Sequence, residues 1–304
     1  MSSASTPQPV PVLIIDTDLG WWWDDATAIG LANVLRNQGL VDVAAITANV
    51  AVPATVAAID AIDTAYGNAD IPIGALRGDA TEPVAPIVAA LCDRLPHTVR
   101  SAADVPDAVE VLRRALRDRP DDSVTIVGIG AYTNLARLLQ HDRDLVAAKV
   151  DRLVVMDGLF PAGGTALTNQ ELDADAAAIV VGEPGWPTPI AWVDGFVGID
   201  TRVGSSLAEA VGPSHPMRIA YEALFGNGPP TDGNWDAPAV LYAAFGAGSW
   251  FTELGRGGAA RLNEAGGLVW RVDDPYRHDD CYVHLADGAQ DALNARIDEL
   301  LVSR

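Results

Sequence analysis

Short apolar runs alternate with segments of helical spacing along most of the 304-residue chain. The predicted strands lie at 10–15, 41–47, 71–74, 123–128, 152–156 and 188–193, and the predicted helices at 24–35, 56–66, 107–117, 134–139 and 174–181. Apolar strands that alternate with helices are typical of a parallel sheet covered on both faces. We therefore predict an α/β, Rossmann-like fold with a mostly parallel sheet, formed by a single domain over residues 11–304 behind a flexible tail of residues 1–10.

The chain is strongly acidic, with a formal net charge of −21 at pH 7, and Lys149 is the one lysine among its 20 basic residues. This charge repels phosphate backbones and anionic membrane surfaces, so neither nucleic acid nor a membrane is an expected partner. It suits a site for a divalent cation and a neutral small molecule. Solubility, for instance in a salty cytoplasm, is the alternative explanation for the charge.

Several features point to a cytoplasmic location. The two cysteines, Cys92 and Cys281, are far apart and form neither a disulfide framework nor a metal-binding motif. Residues 1–10 lack the basic and apolar parts of a signal peptide. No apolar stretch reaches the roughly 18 residues that a membrane span needs. We therefore expect a cytoplasmic enzyme.

Four aspartates crowd the end of the first predicted strand, within the ten residues from Asp16 to Asp25. Like charges this close repel one another unless a cation lies among them. Oxygen ligands without a nearby His or Cys favour calcium or magnesium over zinc. The alternative is a solvated acidic loop in which Asp24 caps the following helix. The strand-end position and the turn residue Gly20 favour the metal site.

Polar residues also stand at later strand ends and helix starts, where ligands of open α/β sheets bind. Asn49 follows the second strand, Asn169 follows the strand at 152–156, and Asp236 precedes an Ala-Pro pair. Each residue alone has a structural explanation, because Asn is common in turns and Asp commonly caps helices.

In combination, these motifs resemble the nucleoside hydrolases. The opening motif of that family, DTDxGxDD, is similar to DTDLGWWWDD at 16–25, although this chain has two additional residues between Gly20 and the aspartate pair. Further family motifs are matched in order by ITAN at 46–49, VGIGAYTNLA at 127–136, MDGLF at 156–160, the stretch 169–177 and NWDAPAVLY at 234–242. The resemblance covers most of the chain and implies a calcium-dependent N-glycoside hydrolase.

The resemblance also implies residue roles. The calcium ligands would be Asp16, Asp25, Asp236 and the backbone carbonyl of Ile129, and the ribose-binding residues would be Asp24, Asn49 and Asn169. Asp16 would also act as general base towards a water that calcium activates, and Asp18 would support the loop. The bond would break through a state with oxocarbenium character. The substrate would be a small nucleoside-like molecule, and the protein would form a homo-oligomer.

The chain departs from the family pattern around the substrate. Gly164 or Thr165, together with Leu167, stand where the family often has the Asn and Glu that hold the ribose 5′-hydroxyl. Trp235 stands where a His often assists the leaving group. These departures suggest a substrate whose 5′ group is modified or missing, or an aglycone that leaves with little protonation.

Two hypotheses concern how the protein would bind and protonate the leaving group. Trp22, Trp23 and Trp235 would form an aromatic wall that stacks on a base, whereas packing beneath the loop is the alternative for the triple Trp. His278 would act as the leaving-group acid, and a surface position without function is its alternative.

Two rival functions remain. An Asp-x-Asp motif after a strand also opens the haloacid dehalogenase-type phosphatases, but those need a Lys late in the fold, and Lys149 stands at no obvious strand end. A non-catalytic nucleoside- or sugar-binding protein on the same scaffold is the other alternative.

Overall fold

The computed structural model describes residues 10–79, 86–275 and 279–303. The strands are β1 (Val12–Thr17), β2 (Asp42–Ala48), β3 (Ile73–Ala75), β4 (Val124–Ile129), β5 (Val150–Met156), β6 (Ile190–Val193), β7 (Phe251–Leu254), β8 (Ala259–Leu262), β9 (Leu268–Arg271) and β10 (Cys281–Leu285). The helices are α1 (Asp25–Asn37), α2 (Thr55–Tyr66), α3 (Ile87–Arg94), α4 (Ala108–Arg117), α5 (Thr133–Lys149), α6 (Thr168–Leu172), α7 (Ala174–Val181), α8 (Gly195–Ile199), α9 (Leu207–Ala210), α10 (Pro216–Phe225), α11 (Asp236–Phe245) and α12 (Gln290–Leu301). The predicted flexible tail falls almost wholly on residues 1–9, outside the described residues.

One eight-stranded sheet organises the fold, in the order β3-β2-β1-β4-β5-β6-β10-β7. Neighbouring strands are parallel except for β7, which pairs antiparallel with β10 at one edge. Strands β8 and β9 form a separate antiparallel pair. The predicted mostly parallel α/β sheet is therefore confirmed.

Helices cover both faces of the sheet because the central strands are apolar on both sides. Along β1, Leu13 and Ile15 pack into one core cluster and Ile14 packs into the other, as the alternation of side chains along a strand requires. Helices α1, α2, α3, α10, α11 and α12 contribute to the first cluster, and α4, α5 and α7 contribute to the second. The two-sided covering was also predicted.

The direction in which successive strands are added to the sheet reverses between β1 and β4. From β1 the chain builds outward through β2 to β3, and it then returns to β4 and builds in the opposite direction through β5 and β6. In such sheets a crevice opens beyond the carboxyl ends of the two strands at the reversal, and ligands bind there. Asp16 lies at the end of β1, paired with Thr47 of β2 and Gly128 of β4.

Some elements differ from the prediction. The helix that the sequence predicts to begin with residues 134–139 runs to Lys149 and contains a non-helical residue at Asp142, which was not predicted. The C-terminal strands β7 to β10 were not predicted. They are four or five residues long and partly exposed, so their sequences show little apolar pattern. Among the described residues, no helix has the length and apolar character that crossing a membrane requires.

Candidate active site with a buried aspartate cluster

Three buried carboxylates converge at the crevice. Asp24 and Asp25 stand at the start of α1, and Asp236 is the first residue of α11. One carboxylate oxygen from each lies within 4.8 Å of the others. Two oxygens bound to one calcium ion lie at most about 5 Å apart, because each sits 2.3–2.6 Å from the ion. The three side chains therefore have the spacing of ligands to a single cation.

Each of the three carboxylates also has one oxygen without a hydrogen-bond partner. Asp24 Oδ1, Asp25 Oδ2 and Asp236 Oδ1 are fully buried and accept no hydrogen bond. Buried polar atoms are almost always paired, so three such atoms in one cluster require an explanation. A hard divalent cation bound by all three satisfies them, and the all-oxygen donor set fits calcium or magnesium. The residues present thus fit a metal of this class.

The second carboxylate oxygens of Asp24 and Asp25 are held by hydrogen bonds that orient the cluster. Asp24 Oδ2 accepts from the backbone N–H groups of Trp235 at 2.7 Å and of Asp236 at 3.2 Å. Asp25 Oδ1 accepts from the Thr17 hydroxyl and from the Asp18 backbone N–H. The Asp24 side chain does not cap α1, so the helix-cap alternative does not describe it. Asp24 instead joins the loop after β1 to the start of α11.

Burial without a cation disfavours ionisation of the cluster. Burial raises the pKa of Asp24 to about 6 and the pKa of Asp25 to about 7, and repulsion from Asp24 adds to the shift of Asp25. Burial and then repulsion from Asp24 and Asp25 hold the pKa of Asp236 well above its usual range. None of the salt bridges found among the described residues involves these three groups. The cluster therefore presents concentrated negative potential that a cation would relieve.

Asp16 is buried beside this cluster but is not one of the three carboxylates that approach one another so closely. Its Oδ1 accepts hydrogen bonds from Thr47 Oγ1 at 2.5 Å and from Asn134 Nδ2 at 2.8 Å, and its Oδ2 accepts from Asn49 Nδ2 at 3.1 Å. Burial raises the pKa of Asp16 to about 6, and the three hydrogen bonds oppose that rise. The carboxylate is thus held in one orientation and is ionised above about pH 7.

The loop after β4 closes the crevice from the other side. Ile129, the predicted carbonyl ligand, pairs in register with Thr17 at the end of β1. The next residue, Gly130, lies so close to β1 that a Cβ atom there would be 2.7 Å from Asn49 Oδ1 and 2.8 Å from the Asp18 nitrogen. A residue without a side chain is needed at this point.

A cavity of about 340 Å³ opens beside the cluster and contains three of the predicted substrate-binding residues: Trp22, Asn169 and Trp235. Asn169 is held by a 3.0 Å hydrogen bond from its Nδ2 to the Met156 carbonyl, and the Trp235 indole N–H donates to the Gly195 carbonyl at 3.0 Å. Leu167, which stands in place of a polar residue of the family pattern, lines the same cavity.

Trp23 does not join its neighbour in the cavity, and the prediction that it stacks on substrate is wrong. Its side chain is 3% exposed and packs edge-on against Tyr221 and Phe225, with ring centroids 5.4 and 5.0 Å away. Trp22, by contrast, is 39% exposed. The backbone turns between the two residues, so the packing interpretation applies to Trp23 and the wall interpretation concerns Trp22.

The two adjacent tryptophans yield a prediction on stability. We expect Trp23→Ala to lower the free energy of unfolding by about 3–5 kcal/mol, because it empties a packed site in the core. Trp22→Ala should change it by no more than about 0.5 kcal/mol, since the side chain faces the cavity and solvent. Urea denaturation of both variants checks this, and an equal loss in the two would contradict the assignment of Trp23 to the core.

One predicted site residue cannot be located, and three residues of the site were not predicted. His278, the predicted leaving-group acid, lies outside the described residues. Thr17, Thr47 and Asn134 hold the site's carboxylates but had been given no role. All three stand inside the motif stretches quoted above, and their position at strand ends or at a helix start was the available signal.

The fold is that of the nucleoside hydrolases, as comparisons with known structures show. The chain superposes on solved nucleoside hydrolase structures over nearly its whole length. An inosine-guanosine nucleoside hydrolase matches with a TM-score of 0.73 and 22% identity, covering 97% of this chain and 99% of that chain. A purine-preferring ribonucleoside hydrolase from Gardnerella vaginalis matches with a TM-score of 0.71 and 20% identity, covering 96% and 99%. An inosine-uridine preferring nucleoside hydrolase from Bacillus anthracis gives 0.71 and 15%, covering 96% and 100%.

The family itself is established by sequence. The family model described as inosine-uridine preferring nucleoside hydrolase matches residues 13–220. The chain therefore belongs to the nucleoside hydrolase family and is a hydrolase that acts on N-glycosyl bonds. A search of curated proteins gives no match to this chain.

Proposed function

We propose that this protein hydrolyses the N-glycosidic bond of a ribonucleoside or a related N-riboside with the help of a calcium ion, releasing free base and ribose or a 5′-modified ribose. The observation that carries the proposal is the convergence of three unpartnered carboxylate oxygens, from Asp24, Asp25 and Asp236, beside the oriented carboxylate of Asp16. A buried all-oxygen cluster without His or Cys suits a hard cation, and among such cations calcium is the one that the family resemblance implies.

The ion would be held by Asp25 and Asp236, and the Asp24 carboxylate belongs to the same cluster. Asp16 and the Ile129 carbonyl are the other ligands that the family resemblance implies. A divalent cation in such a site lowers the pKa of a nearby water and orients sugar hydroxyls. The proton transfer would be carried out by a side chain of the protein. Asp16, ionised above about pH 7, accepts the proton of the attacking water.

The sugar would be positioned by two buried asparagines. Asn49 and Asn169 would bind ribose hydroxyls, because both side-chain amides are buried and held at the edge of the crevice. Positive charge that develops on the sugar as the bond breaks is stabilised by the surrounding carboxylates, which are already oriented before substrate binds. Trp22 and Trp235 line the adjoining cavity and would contact the rest of the substrate.

The test is a hydrolysis assay with a panel of purine and pyrimidine nucleosides. We expect release of reducing sugar from at least one of them in the presence of calcium, and a fall of at least about 100-fold after chelation, which calcium reverses. A matched set with magnesium identifies the preferred ion. Tight binding of nucleosides without any sugar release would instead support a binding protein on this scaffold, and chelator-insensitive turnover would exclude the metal.

A further inference from the structure

Asp157, which directly follows β5, is a buried carboxylate to which the proposed reaction gives no role. Its Oδ2 accepts a hydrogen bond from the Tyr132 hydroxyl at 2.6 Å. Its Oδ1 accepts from the Gln170 side chain at 2.8 Å and from the Gly158 N–H at 2.7 Å. Tyr132 and Gln170 are buried as well. Both oxygens are thus occupied by donors of the protein, which favours a role in holding other groups over direct contact with a ligand.

The hydrogen bonds from Tyr132 and Gln170 to Asp157, here called the Asp157 bridge, have an ionised acceptor. Burial raises the pKa of Asp157 to about 6, and the bonds from Tyr132 and Gln170 oppose the rise, so the carboxylate is ionised at pH 8. Burial and then the charge of Asp157 hold the pKa of Tyr132 well above its usual range, so the phenol keeps its proton and donates. Hydrogen bonds with an ionised partner are roughly twice as strong as neutral ones. The bridge can therefore hold together the two elements that carry its donors.

One end of the bridge, Tyr132, lies among the residues that hold Asp16 and Asn49. Tyr132 immediately precedes α5. The N–H of the residue before it, Ala131, donates to Asn49 Oδ1 at 3.2 Å. Asn134, in the first turn of α5, donates to Asp16 Oδ1 at 2.8 Å. The bridge therefore holds the start of α5, and with it the contacts that orient two of the side chains proposed to act at the sugar.

The other end of the bridge, Gln170, stands next to Asn169 on α6. Gln170 Oε1 accepts from the Leu167 N–H at 3.0 Å, and Asn169 Nδ2 donates to the Met156 carbonyl at 3.0 Å. Helix α6 has only five residues, and so short a helix gains little stability from its own backbone hydrogen bonds. Its attachment to the end of β5 through these side chains therefore determines where the Asn169 amide lies.

We propose that Asp157 is a positioning residue, which fixes Asn169 relative to Asp16 by joining α6 to the start of α5. The proposal rests on the proposed function for the placing of Asn169 and Asp16 against the sugar. Asp157 acts through its two partners and does not touch the substrate. Such positioning matters because a misplacement of about 1 Å in a site of this kind can cost as much as about 100-fold in rate. The competing explanation is that the negative charge of Asp157 acts on the sugar directly.

The experiment breaks the bridge at either end with variants of similar side-chain size. Tyr132→Phe removes only the hydroxyl, and Gln170→Met removes only the amide. At pH 8 with calcium, each should raise the KM for the best nucleoside by at least about fivefold, because binding must then restore an arrangement that the bridge holds in the parent protein. The Kd of 1,4-anhydroribitol, a sugar analogue that cannot be hydrolysed, should rise in parallel. The double variant should lose no more than either single variant, because both changes break the same connection. Steady-state kinetics and calorimetry on the full chain measure these effects.

Two substitutions of Asp157 itself separate positioning from charge. Asp157→Asn removes the charge but keeps the bridge, because an amide oxygen can accept from Gln170 while its N–H₂ group donates to the Tyr132 oxygen. We expect its KM and Kd to stay within about threefold of the parent values. Asp157→Ala breaks the bridge and should match the double variant.

A second buried aspartate controls for a general loss of stability. Asp60 on α2 also accepts three hydrogen bonds with one carboxylate, from the Thr98 N–H at 2.6 Å, the Thr98 hydroxyl at 3.2 Å and the Val99 N–H at 2.8 Å. None of these residues belongs to the proposed site. Asp60→Asn should therefore lower Tm and leave KM and Kd unchanged.

The outcomes separate this inference from the proposed function. The inference is overturned if the bridge variants lower Tm without changing KM or Kd, if the effects of the two single variants multiply, or if the parent protein binds no sugar analogue. It is also overturned if Asp157→Asn is as damaging as Asp157→Ala, since the charge would then be what matters. Because the analogue is not hydrolysed, a lack of nucleoside hydrolysis would overturn the proposed function and leave a measured change in Kd standing. Hydrolysis that is unaffected by the bridge variants would overturn the inference alone.

Discussion

The Asp16→Asn variant should lose at least about 10²–10⁴-fold in kcat towards the best nucleoside, because an amide cannot accept the proton of the attacking water. The hydrogen bonds around Asp16 add to the loss. Both oxygens of Asp16 accept hydrogen bonds, from Thr47, Asn134 and Asn49. In the variant, the N–H₂ group of the new Asn must therefore face one of these donors, which disturbs the site. Steady-state kinetics at saturating calcium measure the effect.

A second buried aspartate provides the matched control for this variant. Asp63 on α2 is fully buried, accepts from Asn33 Nδ2 at 2.7 Å, and has its pKa raised to about 8 by burial. Because it is largely neutral below that pH, Asp63→Asn should leave kcat within about twofold of the parent protein. An Asp16→Asn enzyme that keeps a tenth or more of the parent kcat would show that another group accepts the proton.

The stability of the cation-free protein should fall as pH rises from about 5 to 8. Burial raises the pKa of Asp16 and Asp24 to about 6 and of Asp25 to about 7 in the folded state, whereas an unfolded Asp titrates near 3.9. Over that interval the folded state binds more protons than the unfolded state, so the free energy of unfolding decreases as pH increases. We expect Tm of chelated protein to be of the order of 10 °C lower at pH 8 than at pH 5.5.

Calcium should reverse this loss. At pH 8 the ion takes the place of the missing protons, so added calcium should raise Tm strongly there and only weakly at pH 5.5, where protons compete with it. Scanning calorimetry with chelator and then with calcium measures both effects. The control is Asp25→Asn, which changes net charge by one unit but removes one of the shifted groups and should flatten the pH dependence. A chelated Tm that does not vary with pH would contradict the prediction.

The fold was largely predictable because its central strands are buried on both faces. The apolar runs that become β1, β2, β4 and β5 carry this signal directly, and the helices between them have regular apolar spacing. The edge strand β7 was missed because its four residues alternate between buried and partly exposed positions, and its antiparallel pairing with β10 depends on partners distant in sequence. Short edge strands depend more on tertiary context than on local pattern.

The sequence indicated that aspartates distant along the chain would come together, but it did not indicate their geometry. The convergence of Asp236 with Asp24 and Asp25 agrees with the order of the motifs. The directions of the side chains at the start of α1 decide which carboxylates approach most closely. These directions cannot be read from the order of residue types. The same holds for Trp22 and Trp23, because three consecutive tryptophans give no indication of which one faces the core.

The carboxylates of the cluster come from distant parts of the polypeptide, since Asp24 and the backbone of Trp235 are joined across 211 positions. A shared ion would therefore act as a tether between these two parts of the chain. The segment that leads to α11 includes the Gly- and Pro-containing stretch 226–230. A proteolytic nick there would leave the third carboxylate held by non-covalent contacts alone, and ion affinity would then depend on how firmly α11 stays docked against α1.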